Sequence, residues 1–282
     1  MAFVLIHGVR LHYEVMGEQG PWLALASGGR RSGAEFRPLA RNLAARGFRV
    51  LLHDRRNTGA SDVLIEGDSG EESIWADDWA QLLRHLNAEP AFLGGGSSGA
   101  RLALLTSLRY PDLVRGLLLL RITGGAFTAS RLPETYYGQF IRAAEQGGMQ
   151  AVCETTFYQE CIQANPANRD RLMAMAPGHY ISVMRHWLAI FLQGPREPVL
   201  GMTTDALQAI RVPTWLVPGN DQTHVSRHGR EAAGLIPGCE LFELPVLDED
   251  IAALPFSAWA AHEETLATAM ADFMRRVTDD GA

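Results

Sequence analysis

Ser97 has the most explicit chemical setting in this chain. It lies in Leu93-Gly94-Gly95-Gly96-Ser97-Ser98-Gly99-Ala100, after a short apolar run and before a helical pattern. Gly95-x-Ser97-x-Gly99 has the spacing of a nucleophile elbow, a serine on a sharp strand-to-helix turn with its Oγ projected away from the backbone. Side chains two residues before and after it would collide with neighbouring elements, which calls for glycine at both places. The helix N-terminus behind the serine turns backbone N–H groups and positive dipole toward the site of a developing oxyanion. Two other readings fit the same residues. One is a glycine-rich loop without chemistry. The other is dinucleotide binding, because Gly94-x-Gly96-x-x-Gly99 also satisfies that fingerprint and Asp112 lies near the offset of a ribose-binding acid. Asp112, however, sits in Tyr110-Pro111-Asp112, between a helix and the next strand. A P-loop is excluded, since no lysine follows the glycines.

The elements around this turn follow from short apolar runs alternating with amphipathic stretches, the pattern of an α/β fold with a mainly parallel sheet. Phe3–Ile6 and Arg10–Met16 flank His7-Gly8 as an opening hairpin. Buried strands are expected at Trp22–Ala26, Arg49–His53, Ala91–Leu93, Gly116–Ile122, Thr214–Val217 and Glu240–Leu244. Helices are expected at Phe36–Arg46, Ile74–Leu86, Gly99–Arg109, Arg227–Leu235 and Glu263–Arg275. The interval 124–212 breaks the rhythm. It reads as five helices, Glu134–Gln146, Met149–Gln163, Arg169–Met175, His179–Leu192 and Thr204–Ile210, and it is rich in aromatic residues. The organisation expected is a core of residues 1–123 and 213–282 with a helical cap, 124–212, over one end of the sheet.

Composition limits the alternatives. The 282 residues are 47% hydrophobic and 20% charged, which excludes a disordered chain. The net charge of −7 argues against binding nucleic acid. No apolar run approaches the ~20 residues of a membrane helix, and the N-terminus lacks the basic and apolar regions of a signal peptide. Cys153, Cys161 and Cys239 are odd in number and have no CxxC spacing, so a disulfide framework is not expected and a reducing, cytoplasmic setting is. No metal-ligand motif stands out.

The chain resembles the α/β-hydrolase superfamily over nearly its whole length. Besides the serine turn, residues Asp54 to Asp62 look like the loop after the fourth strand of that family. Tyr110 to Leu117 are similar to its approach to the sixth strand, and Val212 to Asp221 to its seventh strand and acid loop. The cap lies where such enzymes carry theirs. The resemblance implies an eight-stranded α/β-hydrolase fold and a triad in which Ser97 is the nucleophile and Asp221 the orienting acid. It also implies an oxyanion hole made by the N–H groups of Ser98 and Gly29, the latter in Ser27-Gly28-Gly29-Arg30 after the third strand. His7-Gly8 lies in the opening hairpin and is a decoy for the family's His-Gly. The bordering Arg30 and Arg31 read as a solvated loop edge, with recognition of an acidic group as the other reading.

The base is where the chain departs from the family. Pro245 to Asp250 stand where a Gly-His pair is usual. His262 keeps the chain order serine, acid, histidine and is preferred on that ground. His224, three residues after Asp221, is the other choice. The remaining seven histidines read as structural. The function expected is hydrolysis of a carboxylic ester, thioester or lactone through an acyl-enzyme, with no cofactor. The expected partner is a small hydrophobic or aromatic substrate, with no nucleic acid or membrane, and a homodimer is left open. The alternatives are a hydrolase cleaving a carbon–carbon bond of a diketone, which Gly96 in place of asparagine disfavours, and a non-catalytic ligand-binding protein on the same fold.

Overall fold

The structure, a computed structural model, describes residues 2–280. Its strands are β1 (Ala2–Ile6), β2 (Val9–Met16), β3 (Trp22–Ala26), β4 (Arg49–His53), β5 (Ala91–Gly96), β6 (Val114–Leu120), β7 (Thr214–Val217) and β8 (Glu240–Leu241). They form one eight-stranded sheet in the order β1-β2-β4-β3-β5-β6-β7-β8. β2 pairs antiparallel with β1 and β4, and all other pairings are parallel. The tight turn from β1 to β2 is His7-Gly8, both residues at positive φ (45° and 78°), the hand that matches strand twist.

Alternation along the buried strands divides the core into two layers, because successive side chains leave a strand on opposite faces. Ala24, Ala26, Leu117 and Leu119 pack with α2 (Glu71–His85) and α3 (Ser98–Arg109), and α10 (Ser226–Leu235) completes that layer. Leu23, Leu25, Leu118 and Leu120 pack on the other side with α1 (Arg37–Ala44) and α11 (Glu263–Asp280). A strand apolar on every residue is what a sheet covered on both faces requires. No helix among the described residues is long and apolar enough to cross a membrane.

Between β6 and β7 the chain forms α4 (Ala126–Pro133), a π-helical turn (Glu134–Gly138), α5 (Gln139–Cys153), α6 (Thr156–Ala164), α7 (Ala167–Met173), α8 (Pro177–Gln193) and α9 (Thr204–Gln208). A third apolar cluster, with Tyr137, Phe140, Tyr158, Tyr180 and Trp187, holds most of this segment together and packs on Val63, Ile65 and Ile74 of the sheet domain. Val199, Met202 and Leu207, by contrast, pack in the layer of α2 and α10.

Three local differences from the sequence expectation have physical causes. β5 continues through Gly94–Gly96, since pairing to β6 up to Gly96↔Leu120 compensates the weak strand preference of glycine. The expected helix Met149–Gln163 divides at Glu154-Thr155, and α5 itself bends where Gly147 and Gly148 leave helical geometry. Helix α4 was not expected. Gly124-Gly125 and Pro133 bracket it as local breakers, yet Gly125 is its N-terminal boundary and Pro133 its last residue.

Candidate active site

The parallel strands all deliver their C-terminal ends to one edge, where ligands of open α/β sheets bind. Ser97 follows β5 there, with φ 58° and ψ −120°, a left-handed conformation that a non-glycine residue adopts at some cost. Its N–H donates to the carbonyls of Leu120 and Arg121, at 3.0 and 3.2 Å, which anchors the turn. The glycines two residues away are there for want of space. A Cβ on Gly95 would lie 2.3 Å from the Ala26 carbonyl oxygen, and one on Gly99 only 2.0 Å from the same atom. Gly96 has no such constraint, with its nearest neighbour at 3.4 Å. Asp112 lies exposed before β6, hence at the opposite edge of the sheet from Ser97, where no ribose of a ligand at the glycines would reach it.

The loop after β3 abuts this turn. A Cβ on Gly28 would be 3.0 Å from Ser97 Cβ. Gly29 turns at φ 52°, and its carbonyl accepts from Arg55 Nη2 (2.6 Å) and from Ser98 Oγ (3.1 Å). Both bonds fix the peptide plane. Neither the Gly29 nor the Ser98 amide donates to an acceptor among the described residues, so both N–H groups are free for a ligand.

Asp221 and His224 lie after β7 and are almost fully buried. His224 Nδ1 is 2.8 and 2.9 Å from the two carboxylate oxygens of Asp221. Asp221 Oδ1 also accepts the N–H groups of Thr223 and His224, and Oδ2 that of Leu254. Such a network leaves the carboxylate one orientation. Burial acts to raise the Asp221 pKa, but the bonds from His224 and Leu254 and the charge of Arg121 hold it well below the usual carboxylate range. Burial lowers the His224 pKa. The bond to Asp221 opposes this, the charge of Arg121 adds to it, and the net position is below an ordinary imidazole. His224 is therefore neutral at neutral pH, with its proton held on Nδ1 by the carboxylate. Its Nε2 is buried and has no hydrogen-bond partner among the described residues.

Ser97 and His224 line one cavity of about 250 Å³, together with Gly28, Gly29, Phe36, Leu132, Tyr136 and Phe256 among others. His262 does not line it. Chain order preferred His262, and the structure places it outside this cavity. The segment after β8 does return to the sheet edge, but it presents Leu254, whose N–H binds Asp221. The next turn, Phe256–His262, is pinned by Trp259 Nε1 to Asn220 Oδ1 at 3.0 Å and carries His262 into a separate hollow beside Val246 and Ala258.

The expectation of a solvated edge at Arg30 and Arg31 holds for only one of them. Arg31 is exposed and paired with Glu35. Arg30 is buried, with both Nη atoms on the Glu71 carboxylate and Nη2 also on the Tyr136 carbonyl, so it ties the loop after β3 to the π turn. Sequence reasoning missed Arg121 and Arg131. Arg121 directly follows β6 at φ 53°, donates to Asp221 Oδ2 and the Leu254 carbonyl, and stands 3.3 Å from His224 Nδ1. An arginine directly after four leucines is a signal, since a charge in a buried strand end requires a partner.

Comparison with known proteins places this architecture. A family model described as the alpha/beta hydrolase fold matches residues 21–143. The fold is that of the α/β hydrolases. An enol-lactonase from Burkholderia xenovorans superposes with a TM-score of 0.65 at 20% identity, covering 97% of this chain and all of the other. A thermophilic esterase from Thermogutta terrifontis gives 0.66 at 20% identity and 98% coverage of each. In sequence, an uncharacterized hydrolase, YraK of Bacillus subtilis, is 30% identical over 113 residues, 40% of this chain and 41% of that protein. The chain thus spans about two fifths of the length of that curated relative. Ser97 after β5 and Asp221 after β7 stand at the same edge of this sheet.

Proposed function

We propose that Ser97, His224 and Asp221 form the catalytic triad of a serine hydrolase acting on a carboxylic ester, thioester or lactone. The observation that carries this reading is the His224 imidazole. Its Nδ1 is held on Asp221, its Nε2 has no hydrogen-bond partner among the described residues, and the residue lines the same cavity as Ser97. In the reaction Ser97 Oγ gives its proton to His224 Nε2 and attacks the carbonyl carbon. The Gly29 and Ser98 N–H groups stabilise the oxyanion, an effect worth ~10²–10³ in rate for a single donor. Collapse passes the proton from Nε2 to the leaving oxygen or sulfur. Water, deprotonated by the same nitrogen, then releases the acid and frees Ser97. The apolar wall of Phe36, Leu132, Phe140 and Phe256 favours a small substrate of hydrophobic or aromatic character. The names of the lactonase and the esterase that share the fold support the reaction class. The three free cysteines support a cytoplasmic setting.

A covalent phosphonate probe and a set of p-nitrophenyl esters test this. Stoichiometric labelling should vanish in Ser97→Ala. Turnover should fall by ~10³-fold or more in His224→Ala while His262→Ala keeps it. Wild-type rates in His224→Ala would sink the assignment.

A further inference from the structure

Four arginines line the cavity of Ser97: Arg30, Arg31, Arg121 and Arg131. Three of them have a carboxylate of the protein as partner, in the pairs Arg30–Glu71, Arg31–Glu35 and Arg121–Asp221. Arg131 has none among the described residues. Its guanidinium makes one side-chain bond, from Nη1 to Thr223 Oγ1 at 3.1 Å. The Thr223 hydroxyl in turn donates to the Ala252 carbonyl, so it is a fixed acceptor and not a mobile one. Thr223 directly precedes His224, and the charge of Arg131 is among those, after burial and Arg121, that depress the His224 pKa. The cation is thus held at the reacting end of the cavity, half-buried and with donors to spare. The same cavity is also lined by the apolar Phe36, Phe140 and Phe256. A guanidinium that a domain leaves without a counter-ion inside a ligand cavity is placed to pair with a charge that the ligand brings.

We infer that Arg131 is an anchor for a carboxylate on the substrate, and that the preferred substrates are esters or lactones of a small, otherwise apolar molecule bearing a free carboxylate. The inference rests on the hydrolase reading above and narrows its substrate class. The cavity volume of about 250 Å³ sets the scale, since it is just below the ~300–1,000 Å³ of usual ligand sites and suits a short dicarboxylic half-ester or a carboxyphenyl ester. Helix α4 positions the group. It brings Arg131 and Leu132 to the wall, and the π turn that follows continues the lining with Thr135 and Tyr136.

Two matched pairs of esters test the inference. For the acyl side they are mono-4-nitrophenyl succinate and 4-nitrophenyl butyrate. For the alcohol side they are 4-carboxyphenyl butyrate and its methyl ester. The readout is the ratio of kcat/KM within each pair, after subtraction of the uncatalysed rate. The wild type should prefer the charged member of at least one pair by about 10- to 100-fold, the effect of one hydrogen-bonded ion pair. Arg131→Gln should bring that ratio close to one, chiefly through KM, and Arg131→Lys should recover part of it. Absence of preference in both pairs, or a preference that survives Arg131→Gln, overturns the inference. Failure of the hydrolase reading looks different. No ester would turn over and Ser97 would take no phosphonate. Calorimetry with succinate then decides for Arg131: a single site weakened about tenfold or more in Arg131→Gln upholds the anchor, and no binding to the wild type overturns it.

Discussion

Adding one methyl group beside Ser97 should separate an elbow built by crowding from a loop that is merely rich in glycine. In Gly99→Ala the new Cβ would lie 2.0 Å from the Ala26 carbonyl oxygen, 2.7 Å from its carbon and 2.8 Å from the Ser27 oxygen. Ordinary contact begins at ~3.4 Å, so helix α3 and the end of β3 must part by ~1.4 Å, the difference between ~3.4 and 2.0 Å. Neither side can yield cheaply, because Ala26 is paired to Gly95 and Leu25 to Gly94 in the ladder. Overpacking of this kind costs about 1–3 kcal/mol. In a chain of this length that is a fall in Tm of about 2–12 °C. The displaced strand end leads into Gly28 and Gly29, so a shift of about 1 Å there should lower kcat/KM by ~10²-fold even well below the melting temperature. Gly95→Ala meets the same oxygen at 2.3 Å and should behave alike. Gly96→Ala is the control. Its methyl group would meet only the Phe36 ring at 3.4 Å and the Leu120 carbonyl at 3.9 Å, so stability should stay within about 0.5 kcal/mol of the wild type. Differential scanning calorimetry and ester kinetics at 20–25 °C below each Tm measure both effects. Equal losses in Gly96→Ala and Gly99→Ala, or wild-type behaviour in Gly99→Ala, would refute the crowding argument.

Three further outcomes follow from the buried charges. The depressed His224 pKa predicts that kcat/KM falls only below the ordinary imidazole range, and Arg121→Met should move that acid limb upward, because the lost charge no longer opposes protonation. A limb left unmoved would show that Arg121 has no part in setting the base. Stability follows the same sign. Burial holds His53 down at about 3, and His224 is also lowered, so between those values and about 6.5 the unfolded chain binds protons that the folded chain refuses. Thermal stability should therefore be full above pH ~6.5 and decline below it. The depressed Asp221 adds a second loss below pH ~4, which a pH series of melting curves would resolve. Arg30→Met should cost about 3–5 kcal/mol, because it leaves the buried Glu71 carboxylate without its bidentate partner. A Tm near that of the wild type would contradict this.

Local pattern carried the architecture. The strands read from apolar runs and the helices of the two covering layers lie within a few residues of those observed, since side-chain period and local breakers act over a single element. Helix α4 escaped because Gly124-Gly125 and Pro133 read as breakers in sequence, whereas glycine fits just before the helix and proline at its last residue, where the π turn takes over the backbone pairing. The elbow was legible for the opposite reason. The crowding against the Ala26 carbonyl leaves no room for a Cβ at 95 or 99, and that requirement shows in the sequence as a fixed spacing of glycines.

By itself, then, the sequence determined the alternation of elements, the serine turn and the Gly219-Asn220-Asp221 turn after β7, each a consequence of residues near one another in the chain. Which histidine shares a cavity with Ser97 is not such a property. His224 is fixed by its bonds to Asp221, while the path of residues 245–262, and with it the placement of His262, depends on where Leu254 and Trp259 find partners on the β7 loop. The same holds for the arginines. Their positions are fixed by the chain, but only the folded structure decides which carboxylates they meet, and this pairing leaves Arg131 without a carboxylate partner among the described residues.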